Sequence, residues 1–596
     1  MTKLGHPNRC YVPTDSPIRH VQFHVPRHHH SSSPPASSII SINEEEQGGG
    51  NHNNNHNNND DDDAPYRENG REAAVYDMPS EFSPLLRKPK TTQNHHKSKN
   101  NSSSDRDGDE ESNYVTDDDD DDEENVKYME DDYDAIQGFP VRTTWVKETK
   151  FLVASSAPLV VTFLLQNSIN LASIFAVGRM GKVELSAVSL AITTLNITFI
   201  APAQGLASGL DTACAQAFGN RRYHLVGLQC QRVTLLCLLL SFPVALLWFF
   251  SEPVLSHIVT DPRSAHLTAL FLRVMILSMP GVIVFETGKR LLQAQGLFRA
   301  TTYILLVSAP VNVFLNWLLI IRLGWGFLGA PVAVMLTRNL LPLLLVCYVR
   351  FASRDGDGEG AGRCWGGLSV RALANWGPMM RLAVPSMVMV EAEFLAFEAI
   401  TLLCSTFGTG YLASWGIVAS LNTVSWQAPF AMSIAASSRI ANFIGAGAPE
   451  AAKVTARMAF LGTCLVSIIM LTIYVAARYH LPHLFTSNAG VIALTAKVLP
   501  YAAVTQFFDG ISTGAHGLLR GLGRQSVGGA ANLFSYYIVS LPVSVLLGVK
   551  MGWKLEGFSS GLTVGLVSVS LIEYIYILKM DWNQATKEAE ARNAEG

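Results

Sequence analysis

FLVASSAPLVVTFLLQNSINLASIF, residues 151–175, contains no Asp, Glu, Lys or Arg. It is long enough to cross a bilayer, since a helix needs about 20 apolar residues to span the ~30 Å hydrocarbon core. Eleven further windows of this kind follow, broken by Gly, Pro or charge. They lie near 187–210, 229–250, 265–286, 300–321 and 328–350, then near 379–404, 411–436, 455–478, 491–514, 529–549 and 556–579. The spacing predicts an all-α polytopic membrane protein of about twelve transmembrane helices. Across the whole chain, 48% of residues are hydrophobic and 16% charged, against roughly 25% charged in ordinary soluble proteins.

The charge is unevenly placed. Residues 1–140 hold 13 basic and 29 acidic residues, a net of −16, and residues 141–596 hold 32 and 20, a net of +12. The first stretch, with its Asn51–Asn59 tract and its acidic run Asp117–Glu124, has too few apolar residues to offset the entropy of ordering a backbone. It is expected to be a disordered acidic tail. His28, His29, His30, His52 and His56 read as polar filler, because no Cys or carboxylate spacing organises them, and no metal is expected. No apolar stretch before residue 150 resembles a secretory signal. The eight cysteines form no CxxC and read as reduced packing residues.

The two sets of six windows repeat. Pro158 with Pro385, Leu185 with Leu412, Pro202 with Pro429, Leu291 with Leu518, and Gly296 with Gly523 all share a single offset in number, 227. Gly219 and Gly445 differ by 226, and Gly329 and Gly557 by 228. Repeats with an even helix number share one orientation, so their relating axis runs along the membrane normal. The expected organisation is the tail (1–140), an N-lobe (141–350), a linker (351–378), a C-lobe (379–580) and a C-terminal tail (581–596). About 16 Lys and Arg fall in one set of connections, including Arg221, Arg222, Arg299 and Arg524, against 7 in the other. The positive-inside rule therefore puts both termini in the cytoplasm. Two bundles meeting at a midplane seam suit alternating access. Without HExxH, GxSxG or a Walker loop, no enzyme and no ATP site is expected, and an ion gradient becomes the energy source.

Some windows hold charge that lipid cannot solvate: Arg273, Arg338, Glu391, Glu393, Glu398 and Asp509. Such groups face protein or a wet cavity. At 100° per residue, Glu391 and Glu398 fall on one helix face and Glu393 points roughly opposite Glu391. A carboxyl group moved from water to an apolar site favours its neutral form. A group that is charged when open to one side and neutral when closed off is what proton exchange requires. Local hydrogen bonding is the competing reading for each acid. The N-terminal half offers amides instead: Gln166, Asn167, Asn170, Asn196, Gln204, Asn312 and Asn316, fit to line a polar cavity or to join helices. Trp426, Phe430, Tyr303, Phe507 and Phe508 are candidates for stacking on a planar or cationic substrate, although most are expected to pack.

Five motifs carry a family resemblance. GRMGKVELSAVSLA (Gly178–Ala191), GLDTACAQAFGNRR (Gly209–Arg222), LLQAQG (Leu291–Gly296), PSMVMVEAEFLAFE (Pro385–Glu398) and FFDGISTGAHGLLRGLGRQ (Phe507–Gln525) together resemble the eukaryotic multidrug and toxic compound extrusion (MATE) transporters. The resemblance covers about 145–580. It implies two six-helix lobes, a central cleft, and export of organic cations or other toxic compounds against proton or, less favoured, sodium entry, with no cofactor. Carried onto this chain, it makes Glu393 the proton carrier, supported by Asp509 and Glu398, with Asp211 in the acidic place of the second-helix signature. Glu391 stands where plant and animal members usually have an uncharged residue, so the resemblance gives it no role. A long tail is more like fungal relatives. The cation-coupling and substrate-binding set is thus Glu393, Asp509, Glu398, Glu391, Asp211, Gln166, Asn170 and Asn196.

Glu81-Phe-Ser-Pro-Leu85-Leu86 matches an acidic dileucine read by adaptor complexes, which favours a vacuolar membrane over the plasma membrane. A monomer with a small organic substrate, embedded in lipid and without nucleic acid, is expected. The alternatives are a lipid-linked precursor flippase, which would want a strongly cationic cavity for pyrophosphate, and a membrane-embedded enzyme, for which no constellation exists.

Overall fold

Long apolar runs leave the backbone no partner but itself, so every one of these segments is helical. A computed structural model describes residues 143–178, 180–258, 261–352, 362 and 364–595. The acidic tail, the dileucine at Glu81, Leu85 and Leu86, and part of the linker lie outside the described residues.

Six helices form the first repeat: α1 (Trp145–Gly178), α2 (Lys182–Gly219), α3 (Tyr223–Phe249), α4 (Pro262–Ala294), α5 (Arg299–Arg322) and α6 (Gly326–Phe351). A short helix, Ser251–Ile258, links α3 to α4. The second repeat holds α7 (Gly377–Ser405), α8 (Thr409–Gly445), α9 (Pro449–Ala476), α10 (Ala489–Leu522), α11 (Gln525–Lys550) and α12 (Lys554–Lys579). Among the described residues, ten of these are long and apolar enough to cross a membrane on composition alone. The other two are α7, which carries the three Glu residues, and α8, which is rich in Ser, Thr, Asn and Gln. Much of that polarity lies inside the bundle, where Ser414, Ser425, Gln427 and Ser433 of α8 are buried. Side chains such as Leu239, Phe242, Leu246, Ile468 and Ile469 stand exposed on the outer surface, which suits a protein bathed in hydrocarbon.

Local chemistry sets the helix ends. Asp261 caps α4, accepting from the backbone N–H of Arg263 and Ser264 at 3.2 Å each, with Pro262 at the first helical position. Asn488 caps α10 in the same way at 3.0 Å to Gly490. At its other end Gly523 takes φ 74°, a left-handed turn that favours glycine. Several helices run past the apolar windows: α8 was expected over 411–436 and extends through Gly445. The extra turns are polar, yet Arg439 and Asn442 within them are buried against the other repeat. The C-terminal tail has structure of its own. Residues Trp582–Glu595 form a helix, α13, with Trp582, Ala585, Ala589 and Asn593 buried.

The two lobes meet at one end. Glu148 on α1 accepts from Arg439 on α8 at 3.1 Å and from Thr455 on α9 at 2.8 Å, and both charges are buried. Asp211 on α2 pairs with Arg290 of its own lobe at 3.1 Å and lies 3.8 Å from Arg520 on α10. Gln216 donates to the carbonyl of Gly521 at 3.2 Å. The repeat-related Gly219 and Gly445 allow this approach: a methyl group on either would run into a carbonyl of the opposing helix, that of Asn442 or of Gln216. We call this the sealed end. Of the seven described cysteines, five are buried as expected of packing residues, Cys464 is partly buried and Cys347 is exposed.

Candidate functional site

Away from the sealed end, the lobes enclose a cavity of about 420 Å³. From the N-lobe, α1 supplies Gln166, Asn167 and Asn170, and α2 supplies Asn196 and Gln204. Asn196 begins a π-helical turn, Asn196–Ile200, and widened turns of this sort recur at functional sites. From the C-lobe, α7 supplies Glu393 and Glu398, α8 supplies Trp426 and Phe430, and α10 supplies Asp509. Six of the eight expected residues, Gln166, Asn170, Asn196, Glu393, Glu398 and Asp509, thus line one space although they are scattered along the chain.

The remaining two do not line it. Asp211 is committed to Arg290 at the sealed end. Glu391 is half-buried with one carboxylate oxygen lacking a hydrogen bond, and it lies outside the cavity. The cavity takes only part of α7. Its cavity residues are Glu393, Phe394, Phe397, Glu398 and Thr401, an arc of about 140° at 100° per residue. Glu393 and Glu398 mark the two edges of that arc. Glu391 shares the azimuth of Glu398 but sits about 10 Å further along the axis at 1.5 Å per residue, beyond the cavity.

The two walls differ. On the N-lobe side, Glu286 is nearly fully buried and pairs with Lys289 at 2.7 Å, while also accepting from Gln166 at 3.2 Å. Lys289 lies 5.6 Å from the Phe163 ring centre. On the C-lobe side, among the described residues, Asp509 Oδ1 is buried without a hydrogen-bond partner and no ion pair holds Glu393 or Glu398. Behind this wall, His516 Nε2 lies 3.3 Å from Glu573 Oε1 on α12 and 3.2 Å from Asn532 Oδ1 on α11. Asn532 in turn donates to the carbonyl of Met389 on α7 at 2.8 Å, one turn before Glu393. Trp426 and Phe430 stack at 4.1 Å and 17°, and Phe163 meets Phe430 across the seam at 5.1 Å. Tyr303, Phe507 and Phe508 do not line the cavity, nor do Asn312 and Asn316, which bond to each other and, through Asn312, to Thr337.

Glu286, His516 and Glu573 were not singled out from sequence. Glu286 closes an apolar window next to Lys289 and Arg290 and reads as loop charge. His516 adds nothing to a formal charge count. The signal that finds it is the repeat, since it stands in the second half where Lys289 stands in the first, at the offset shared by the paired prolines.

A membrane bundle of two six-helix repeats around a polar central cavity is the architecture of a secondary transporter. The MatE family profile matches residues 158–318 and 385–546, so the two matched stretches begin on the repeat-related Pro158 and Pro385. An uncharacterized transporter of Schizosaccharomyces pombe is 37% identical over 75% of this chain and 82% of its own length. Multidrug and toxin extrusion protein 1 of Xenopus tropicalis is 31% identical over 75% of this chain and 77% of its own. The crystal structure of a eukaryotic MATE transporter, AtDTX14, superposes with a TM-score of 0.71 at 26% identity, covering 75% of this chain and 99% of that one. The chain belongs to the MATE family of multi-pass membrane transporters.

Proposed function

We propose that this transporter exchanges organic, largely cationic compounds for protons by alternating access. The observation that carries the reading is the C-lobe wall: Glu393, Glu398 and Asp509 face the cavity with no basic side chain beside them on that wall. A cation entering the cavity favours release of their protons, and reprotonation favours release of the cation. Exchange then follows from competition for one negative site. Sodium usually wants several oxygen ligands, often backbone carbonyls freed by helix breaks, whereas a proton needs one carboxyl group. A flippase of lipid-linked pyrophosphates would need several cations in the cavity. The lining holds one, Arg338, against four acids.

By the positive-inside argument the sealed end faces the cytoplasm, so this conformation opens away from it, and both termini are cytoplasmic. The dileucine at Leu85 and Leu86 supports the vacuolar membrane, through an adaptor complex. Replacing both with Ala should redistribute the protein, and an unchanged distribution removes that support. The transport reading is tested with purified protein in vesicles. Uptake of a cationic dye should follow the pH difference, collapse with a protonophore, and be indifferent to replacing sodium by potassium. Sodium-dependent uptake without a pH difference overturns it.

A further inference from the structure

Arg338 on α6 is nine-tenths buried, at 9% exposure, and lines the cavity. Its Nη2 donates to Asn170 Oδ1 at 3.3 Å, and its Nη1 is buried with no acceptor among the described residues. The acid on its own wall, Glu286, is already committed to Lys289 at 2.7 Å and to Gln166 at 3.2 Å. Counted with Lys289 behind it, the N-lobe wall holds one cation more than it holds anions, opposite a wall of three carboxyl groups. A guanidinium withdrawn from water beside an acid that is already paired is costly, and a charge kept inside a membrane bundle marks a ligand path by default. An apolar side chain of similar volume would pack here without that cost.

We propose that Arg338 is an anion subsite of the transport cavity, and that the chain takes bipolar substrates carrying a carboxylate at one end and a cationic group at the other. The guanidinium fork matches a carboxylate with two parallel N–H donors, and the Asn170 amide beside it can share the load. One arginine neutralises one carboxylate, not a pyrophosphate. The cationic end then meets Glu393, Glu398 or Asp509 across the cavity, with the stacked Trp426 and Phe430 available to a planar body between them. The proposal rests on this cavity being the transport cavity.

The test uses a diaminoxanthylium dye with a free benzoate, which is a zwitterion, and its methyl ester, which is a plain cation on the same skeleton. Binding to the purified full chain is read by fluorescence anisotropy. The wild type should bind the free acid roughly tenfold or more tightly than the ester, the value of a hydrogen-bonded charge pair. Arg338→Gln should erase that preference, and Arg338→Lys should keep part of it. Should Arg338→Gln fail to fold, as aggregation on size-exclusion chromatography would show, Asn170→Asp takes its place. It gives Arg338 a fixed counter-charge and should erase the preference likewise. Equal wild-type affinity for acid and ester, or a preference that survives Arg338→Gln or Asn170→Asp, overturns the proposal. Failure of the proton reading shows separately, as ester flux in vesicles that ignores the pH difference while the binding preference persists.

Discussion

The two lobes are repeats of one plan, and they fill equivalent positions with different chemistry. At the offset that relates the halves, Gln166 corresponds to Glu393, Val282 to Asp509, and Asn196 to Thr423, and all six line the cavity. Behind the walls, Lys289 and His516 correspond in the same way, each beside a buried Glu, Glu286 and Glu573 respectively. One lobe carries an amide, an apolar residue and an ammonium. Its partner carries two carboxyl groups and an imidazole. Under the proposed exchange, symmetry of the backbone supports a division of labour in which one wall keeps its charge through the cycle and the other changes it.

The sharpest way to break that comparison is Glu393→Gln, which makes the C-lobe match the N-lobe at the first pair. Uptake driven by a pH difference should fall to background per inserted molecule, with the protein still folded and in the membrane. Adding Gln166→Glu to that variant should not restore it, because the acid would then stand beside the Glu286–Lys289 pair. Rescued coupling would show the lobes to be interchangeable. Next in size is Lys289→Met, which strands Glu286 without its cation. Removing one member of a buried pair costs about 3–5 kcal/mol, visible as a lower unfolding temperature in detergent. The double variant Glu286→Gln/Lys289→Met should recover most of that loss, and no recovery would deny that the N-lobe charges act as a closed pair. Glu148→Gln should have a smaller, local effect. With Arg439 left short of its carboxylate, hydrogen exchange should quicken over the ends of α2 and α8 while distant helices stay protected. Unchanged exchange there would mean that this pair does not hold the sealed end. At the bottom of the scale, Lys453→Ala breaks an exposed pair with Glu450 and should shift stability by no more than about 0.5 kcal/mol.

Hydrophobic runs and paired prolines were enough to read twelve helices in two repeats. Charges stranded in apolar windows were enough to find Glu393, Glu398 and Asp509, because a bilayer forbids such residues a bland position. What periodicity could not supply was depth. Glu391 and Glu398 share an azimuth, and only the height of the cavity along α7 separates them. Nor could it supply partnership across helices. Asp211 looks like any other intramembrane acid until Arg290 and Arg520 are brought beside it from helices four and ten. Glu286, read along the chain, belongs with the basic loop that follows; in space it belongs to Gln166 and the cavity.

The small helix α13 carries a separate consequence. Arg592 reaches Gln216 of α2 at 2.9 Å, and Asn593 donates to the Gln216 carbonyl, while Glu588 accepts from Arg524, just past α10, at 2.8 Å. It is therefore tied to both lobes, across the line along which they must part. An exchanger that rocks without cargo wastes its gradient as leak. Under the proposed exchange, a clasp of hydrogen bonds spanning the seam would slow an empty rocking motion without touching the affinity of the cavity for anything. Trimming the chain after Met580 should then leave substrate binding as it was and raise the idle proton current, so that more protons are spent for each molecule moved.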